Sequence, residues 1–144
     1  IIDHKNKTIQ PFDLKSTAKR VYDFPTSFWQ FGYFRQAAFY TIALKSYLEE
    51  SKIFKDLTSY KVLPFKFVVV EKKINNKNPA FIFTTTEKDI ECGLYGGVIK
   101  ENFIKVKGIY SLLEDYKWHE LNKKWLIPRE AYENNGELSL DVFI

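Results

Sequence analysis

TIQPFDLK, Thr8 to Lys15, is the stretch on which the reading of this chain turns. Ile9, Pro11 and Asp13 fall on one side and Gln10, Phe12 and Leu14 on the other, the alternation of a β-strand. Before it come a short apolar segment, Ile1 to His4, and a polar turn, Lys5-Asn6-Lys7, so the two segments read as a β-hairpin. Pro11 has no N–H to give to a ladder, which places its strand at a sheet edge or puts a bulge there. Strand residues two positions apart project to one face, which makes Asp13 and Lys15 neighbours. Leu14 between them is expected to point into the core, with its carbonyl free to bind a cation.

Working outward, Ser16 to Thr26 is a polar connection closed by Pro25, with Thr26 or Ser27 able to cap a helix. Phe28, Phe31, Ala38, Ile42 and Tyr47 recur at helical spacing, and Gly32 loosens the start of a helix expected over Phe28 to Glu50. Val62 to Lys72 is β-branched and aromatic, the composition of an interior strand. Ile74 to Asn78 is turn chemistry, and Ala80 to Thr86 reads as a strand returning antiparallel to the previous one. From Glu87 to about Lys117, Ile90, Leu94, Val98, Val106, Ile109 and Leu113 make the apolar stripe of a helix, weakened early by Gly93, Gly96 and Gly97. The tail ends in a short strand expected at Leu138 to Phe143. The order β-β-α-β-β-α predicts an α/β fold, a mixed β-sheet flanked by α-helices, in a single domain over 1–144.

Composition narrows the chemistry. At 144 residues with 45% hydrophobic and 17% aromatic residues, the chain can bury one good core. Its longest clean apolar runs, Phe67 to Val70 among them, are far short of the ~20 residues of a membrane helix, so no membrane partner is expected. One cysteine, Cys92, makes no internal disulfide and no cysteine-based zinc site, and suggests an intracellular, cytoplasmic setting. With only His4 and His119 besides, a metal site would be built from carboxylates and carbonyls, which suits Mg²⁺, Mn²⁺ or Ca²⁺. The net charge of +4 is compatible with a nucleic-acid partner.

An acid and a lysine on one strand face suit phosphodiester hydrolysis. The acid can ligate a divalent cation that activates water and neutralises phosphate charge, and the lysine adds a cation beside the reacting group. Gln36 and Tyr40, four apart, lie above one another on the following helix, with Tyr33 and Arg35 nearby. Each pair alone is more often a surface pair or a boundary between core and solvent.

Together the pairs carry a resemblance. IIDHKNKTIQPFDLKST, FWQFGYFRQAAFYTIAL, KFVVVEKK and AFIFTTTE resemble the PD-(D/E)XK nuclease superfamily, and more narrowly the phage-type exonucleases similar to exodeoxyribonuclease VIII in the RecB-like branch. The likeness runs over roughly Ile1 to Tyr116. It implies a restriction-endonuclease-like core and an Mg²⁺-dependent (Mn²⁺ in its place) deoxyribonuclease acting on DNA in recombination or phage-type processing. Asp13 then matches the acidic metal ligand, Leu14 the carbonyl ligand and Lys15 the catalytic lysine. Gln36 and Tyr40 match the Gln-x-x-x-Tyr motif, and Ser16 and Thr17 match hydroxylic residues that touch phosphate. The likeness also admits a homo-oligomer.

The pattern departs from the family upstream. A second metal-binding Asp belongs at or just before Ile1; Asp3 is the only carboxylate there and lies close to the turn. The chain lacks methionine and opens inside what reads as a strand, so it is expected to be the C-terminal part of such a core. A non-catalytic DNA-binding module with an incomplete metal site is the nearest rival. A structural or protein-interaction domain is a third reading; it predicts Asp13 and Gln36 far apart.

Other candidates read as packing. Among Tyr22, Phe24, Phe28, Trp29, Phe31, Tyr33 and Phe34 most are expected in the core, with Tyr22, Phe24 and Trp29 exposed. Glu71-Lys72-Lys73 reads as a solvated rim, His119 beside Trp118 as packing, and Cys92 as a small buried hydrophobe.

Overall fold

A computed structural model describes residues 1–50, 55–73, 78–99 and 104–138. The chain is mixed α/β, with three small sheets and helices against them. Strands β1 (Ile2–Asp3) and β2 (Thr8–Ile9) form the hairpin read from the sequence, pairing Ile2 with Ile9 and Asp3 with Thr8. Next come β3 (Phe12–Thr17), helix α1 (Phe24–Gln30) and helix α2 (Tyr33–Glu50). Strands β4 (Lys61–Val62) and β5 (Lys66–Glu71) return parallel to β2 and β3 respectively. Strand β6 (Phe81–Thr84) runs back antiparallel to β5, as expected, so β5 is interior to the order β3-β5-β6 and β3 is an edge.

Proline sets the break between the sheets. Between the two parallel ladders one chain supplies Gln10 and Pro11, while the other supplies Leu63, Pro64 and Phe65. The extra residue therefore lies in the partner strand, and the expected single strand Val62 to Lys72 is two. Edge placement of the Pro11 strand holds for β3. The Gln10 side chain bridges the gap, its Nε2 donating to the carbonyls of Pro11 and Pro64, each at 2.8 Å.

Side-chain alternation along β3 survives, but its polarity is the reverse of the expectation for Leu14. Asp13, Lys15 and Thr17 are half-buried, whereas Phe12 and Ser16 are exposed and Leu14 is 69% exposed. Asp13 aligns with Phe67 and Lys15 with Val69, both fully buried, so the helices cover the face that carries the polar pair. Phe67 centres that core, its ring 5.5 Å from Phe24, 5.8 Å from Phe28 and 5.1 Å from Phe65. Removing such a ring from water is worth about 1.5–3 kcal/mol.

The helix expected over Phe28 to Glu50 is two helices. Gly32 takes φ +68°, a left-handed conformation costly for a residue with a Cβ, and its carbonyl accepts from the N–H of Arg35 to open α2. α2 then runs antiparallel to β3. Gln36 stands beside Lys15, Tyr40 is next to Phe65, and Leu44 and Leu48 pack against Ile9 and Val62 in a second small core.

The helix expected over Glu87 to Lys117 is also divided. Helix α3 (Glu87–Tyr95) ends at Gly96 with φ +85°, and β7 (Gly97–Ile99) and β8 (Ile104–Val106) form a hairpin before helix α4 (Ile109–Asn122). Val98 and Val106 thus belong to strands, and only the outer parts of the stripe are helical. Helix α5 (Arg129–Glu133) follows. The turn at Ile74 to Asn78 lies outside the described residues except for Asn78, as does the strand at Leu138 to Phe143 except for Leu138. Among the described residues no helix is long and apolar enough to cross a membrane.

Candidate active site

Two elements build the site. β3 sets Asp13 and Lys15 on its covered face, and α2 lies across that face with Tyr33 and Gln36 one helical turn apart. The ammonium of Lys15 lies 2.7 Å from Oδ2 of Asp13 and donates to Oε1 of Gln36 at 2.9 Å. Gln36 Nε2 donates to the same Asp13 oxygen at 3.4 Å, closing a triangle. The ring of Tyr33 forms a floor 4.3 Å from Nζ, a cation–π contact that restricts the lysine further. Lys15 is 19% and Asp13 29% exposed, so both charges have left much of their hydration. Such charges need partners, and each supplies the other's, with Gln36 serving both.

Main-chain placement bears on cation binding. The carbonyls of Pro11 and Thr17 accept from Lys66 and Lys72 of the neighbouring chain segment. In a parallel ladder alternate residues point their carbonyls to the partner, so the odd positions face β5 and the Leu14 carbonyl faces the open edge. Among the described residues Oδ1 of Asp13 takes no hydrogen bond. The Asp13 carboxylate oxygen and the carbonyl of the next residue, turned to the edge, are two hard oxygen donors on consecutive residues. Mg²⁺ is commonly held by one or two carboxylates and completes its shell with water and substrate phosphate, so this pair fits it. Among the described residues no group of three or more His, Cys, Asp or Glu side chains could hold a metal ion. Asp3 does not supplement Asp13. Its carboxylate accepts from the N–H groups of Lys5 and Asn6 and from the Asn6 side chain. Those Asn6 bonds hold its pKa below the ordinary value.

The remaining expected residues divide. Tyr40 is 45% exposed and lies one turn along α2 from Gln36, its ring 6.1 Å from Phe65; the aromatic group in contact with Lys15 is Tyr33 instead. Thr17 shares the face of Lys15, and its Oγ1 accepts from the N–H of Lys19, while Ser16 points to the open face. Both nevertheless line a cavity beside Lys15, with Lys19, Phe31 and Tyr33. Tyr22 is exposed as expected, but Phe24 is buried and Trp29 packs partly against the core. Phe31, expected inside, is 59% exposed because it sits on the turn between α1 and α2. Exposure of Phe31 had one sequence signal, the adjacent Gly32. Glu71 is no free rim residue: Oε1 accepts from the N–H of Val21 and so ties down the segment after β3. His119 packs with Trp118 and Trp125, and Cys92 lies half-buried against the core, where burial raises its thiol pKa.

Comparison with family models, with curated proteins and with solved structures finds no match to this chain.

Proposed function

We propose that the chain carries a restriction-endonuclease-like core and hydrolyses DNA phosphodiester bonds with magnesium, as an exodeoxyribonuclease of recombination or phage-type DNA processing. The observation that carries the reading is the triangle of Lys15, Asp13 and Gln36, drawn from a strand and the next helix and closed at 2.7, 2.9 and 3.4 Å. A chance surface pair would leave Asp13 and Gln36 unrelated in space. The order of hairpin, crossover helix, parallel strand and antiparallel return also supports it.

A bound divalent cation supplies charge neutralisation at phosphate and a more acidic water. Asp13 Oδ1 and the Leu14 carbonyl would hold it. Lys15 sets a fixed positive charge where negative charge develops on the reacting phosphate, and Gln36 with the Tyr33 ring keeps that charge in place. Thr17, on the face of Lys15, is the hydroxyl donor for the adjoining phosphate, with Tyr40 further along the helix; Ser16 stands on the opposite face. The net charge of +4 favours encounter with DNA.

The rival reading, a DNA-binding module without catalysis, draws on the single carboxylate of the cluster. Digestion of linear DNA in Mg²⁺ separates the two. Asp13→Ala and Lys15→Ala should each lower the cleavage rate roughly 10²- to 10³-fold. Cleavage unchanged in both variants removes the triangle from the mechanism. DNA binding by wild-type protein without any cleavage in Mg²⁺ or Mn²⁺ supports the binding module.

A further inference from the structure

Beside Lys15 lies a cavity of about 190 Å³, lined among others by Lys15, Ser16, Thr17, Lys19, Phe31 and Tyr33. It is smaller than the roughly 300–1,000 Å³ of pockets that enclose whole drug-sized ligands, and has room for one flat ring. Its wall is chemically divided. Lys15 and Lys19 are cations and Thr17 is a hydroxyl, the partners of a phosphate. Phe31 and Tyr33 are rings with centroids 5.9 Å apart, and Phe31 is 59% exposed although it belongs to a strongly aromatic segment. A large apolar ring left in water on a turn, touching one neighbouring ring, contributes little to the fold.

We propose that this cavity is a subsite for one unpaired nucleotide of single-stranded DNA, with Phe31 as the stacking platform for its base and Lys15 and Lys19 beside its phosphate. The proposal rests on the nuclease reading and narrows its substrate to a strand whose end is single-stranded or frayed. A base pair within a duplex presents no free face to Phe31, and the cavity does not admit two stacked bases with their partners.

Binding is measured by fluorescence anisotropy in EDTA, so that cleavage plays no part, with the full chain and two labelled probes: a short oligothymidylate and a blunt linear GC-rich duplex. Stacking of one base is worth ~1–3 kcal/mol, so Phe31→Ala should weaken oligothymidylate binding roughly 5- to 150-fold. It should change duplex binding less than about twofold, and Phe31→Trp should restore binding. In Phe31→Trp, oligothymidylate should also quench emission beyond the change seen with wild type, a mark of stacking that charge attraction alone does not give. Phe31 is exposed, and equal urea midpoints for the variants will show that the fold is intact. Wild-type binding of oligothymidylate that Phe31→Ala leaves unchanged, or weakens equally for both probes, overturns the subsite and leaves the nuclease reading standing. Failure of wild type to bind either probe overturns both.

Discussion

Changing Gln36 to glutamate replaces one amide NH₂ by an oxygen and leaves the shape alone. The new carboxylate would face Asp13 Oδ2 across 3.4 Å and Lys15 Nζ across 2.9 Å. At an effective dielectric of ~20, the repulsion is about 5 kcal/mol and the new attraction about 6 kcal/mol, so the two nearly cancel. The net loss for Gln36→Glu is then the hydrogen bond from Nε2, about 1 kcal/mol. Lys15→Met removes the ammonium that makes the cancellation possible. In a double-mutant cycle the coupling between the two substitutions measures the attraction between Lys15 and the introduced carboxylate, less the hydrogen bond that Lys15 already gives the Gln36 amide. Part of that site is open to water, and solvent screening halves the gross figure, leaving roughly 2–3 kcal/mol. The assay is urea unfolding of the four proteins at pH 7 in low salt, repeated near 1 M salt, where the Debye length falls to ~3 Å. The coupling should be large in the first condition and shrink in the second. Additivity within about 0.5 kcal/mol in low salt refutes the triangle, since residues in contact should not behave as distant ones.

Two further outcomes follow from elements outside the site. Thr86 and Asp89 cap α3 reciprocally, the Thr86 hydroxyl accepting from the Asp89 N–H and the Asp89 carboxylate from the Thr86 N–H; Thr86→Ala should lower stability by about 1 kcal/mol in urea unfolding. The hydrogen bond to Glu130, and then that to Asp115, raise the pKa of Lys107 above 10.5. A raised lysine pKa stabilises the fold below the unfolded value and loses that contribution as pH rises through the folded one. Urea midpoints should therefore fall above about pH 10.5 less steeply in Lys107→Met than in wild type, by no more than ~1 kcal/mol because the pair is half-exposed.

Part of the site was legible because it depends on a short-range period. The two-residue step of a strand set Asp13 beside Lys15, whereas Gln36 was brought to them by the likeness to the nuclease family, because a helix after a strand can turn any of its faces to it. Alternation assigns residues to sides; it does not say which side the helices cover. Hydrophobicity suggested Leu14, but a carboxylate and an ammonium that neutralise each other, with an amide for both, can lie under α2 while Leu14 faces out. Four-residue spacing pairs Gln36 with Tyr40, yet α2 runs antiparallel to β3, so its first turn, with Tyr33, meets Lys15 and later turns pass toward Phe65. The long helix after Glu87 misled for a different reason. Val98 and Val106 fit a helical stripe and a hairpin equally well, and only pairing between Gly97–Ile99 and Ile104–Val106 decides.

The doubled break at Pro11 and Pro64 separates the sheet that carries Asp13 and Lys15 from the small sheet of β1, β2 and β4. Among the described residues the Gln10 amide is the side chain that spans the gap on that level, and α2 overlies both sides. Fraying of the hairpin of β1 and β2 can therefore proceed like a cover lifting at one hinge while Asp13 and Lys15 stay registered on β5. Hydrogen exchange should find the amides of β2 and β4 opening earlier than those of β3 and β5, two rates on one nearly continuous pair of chains.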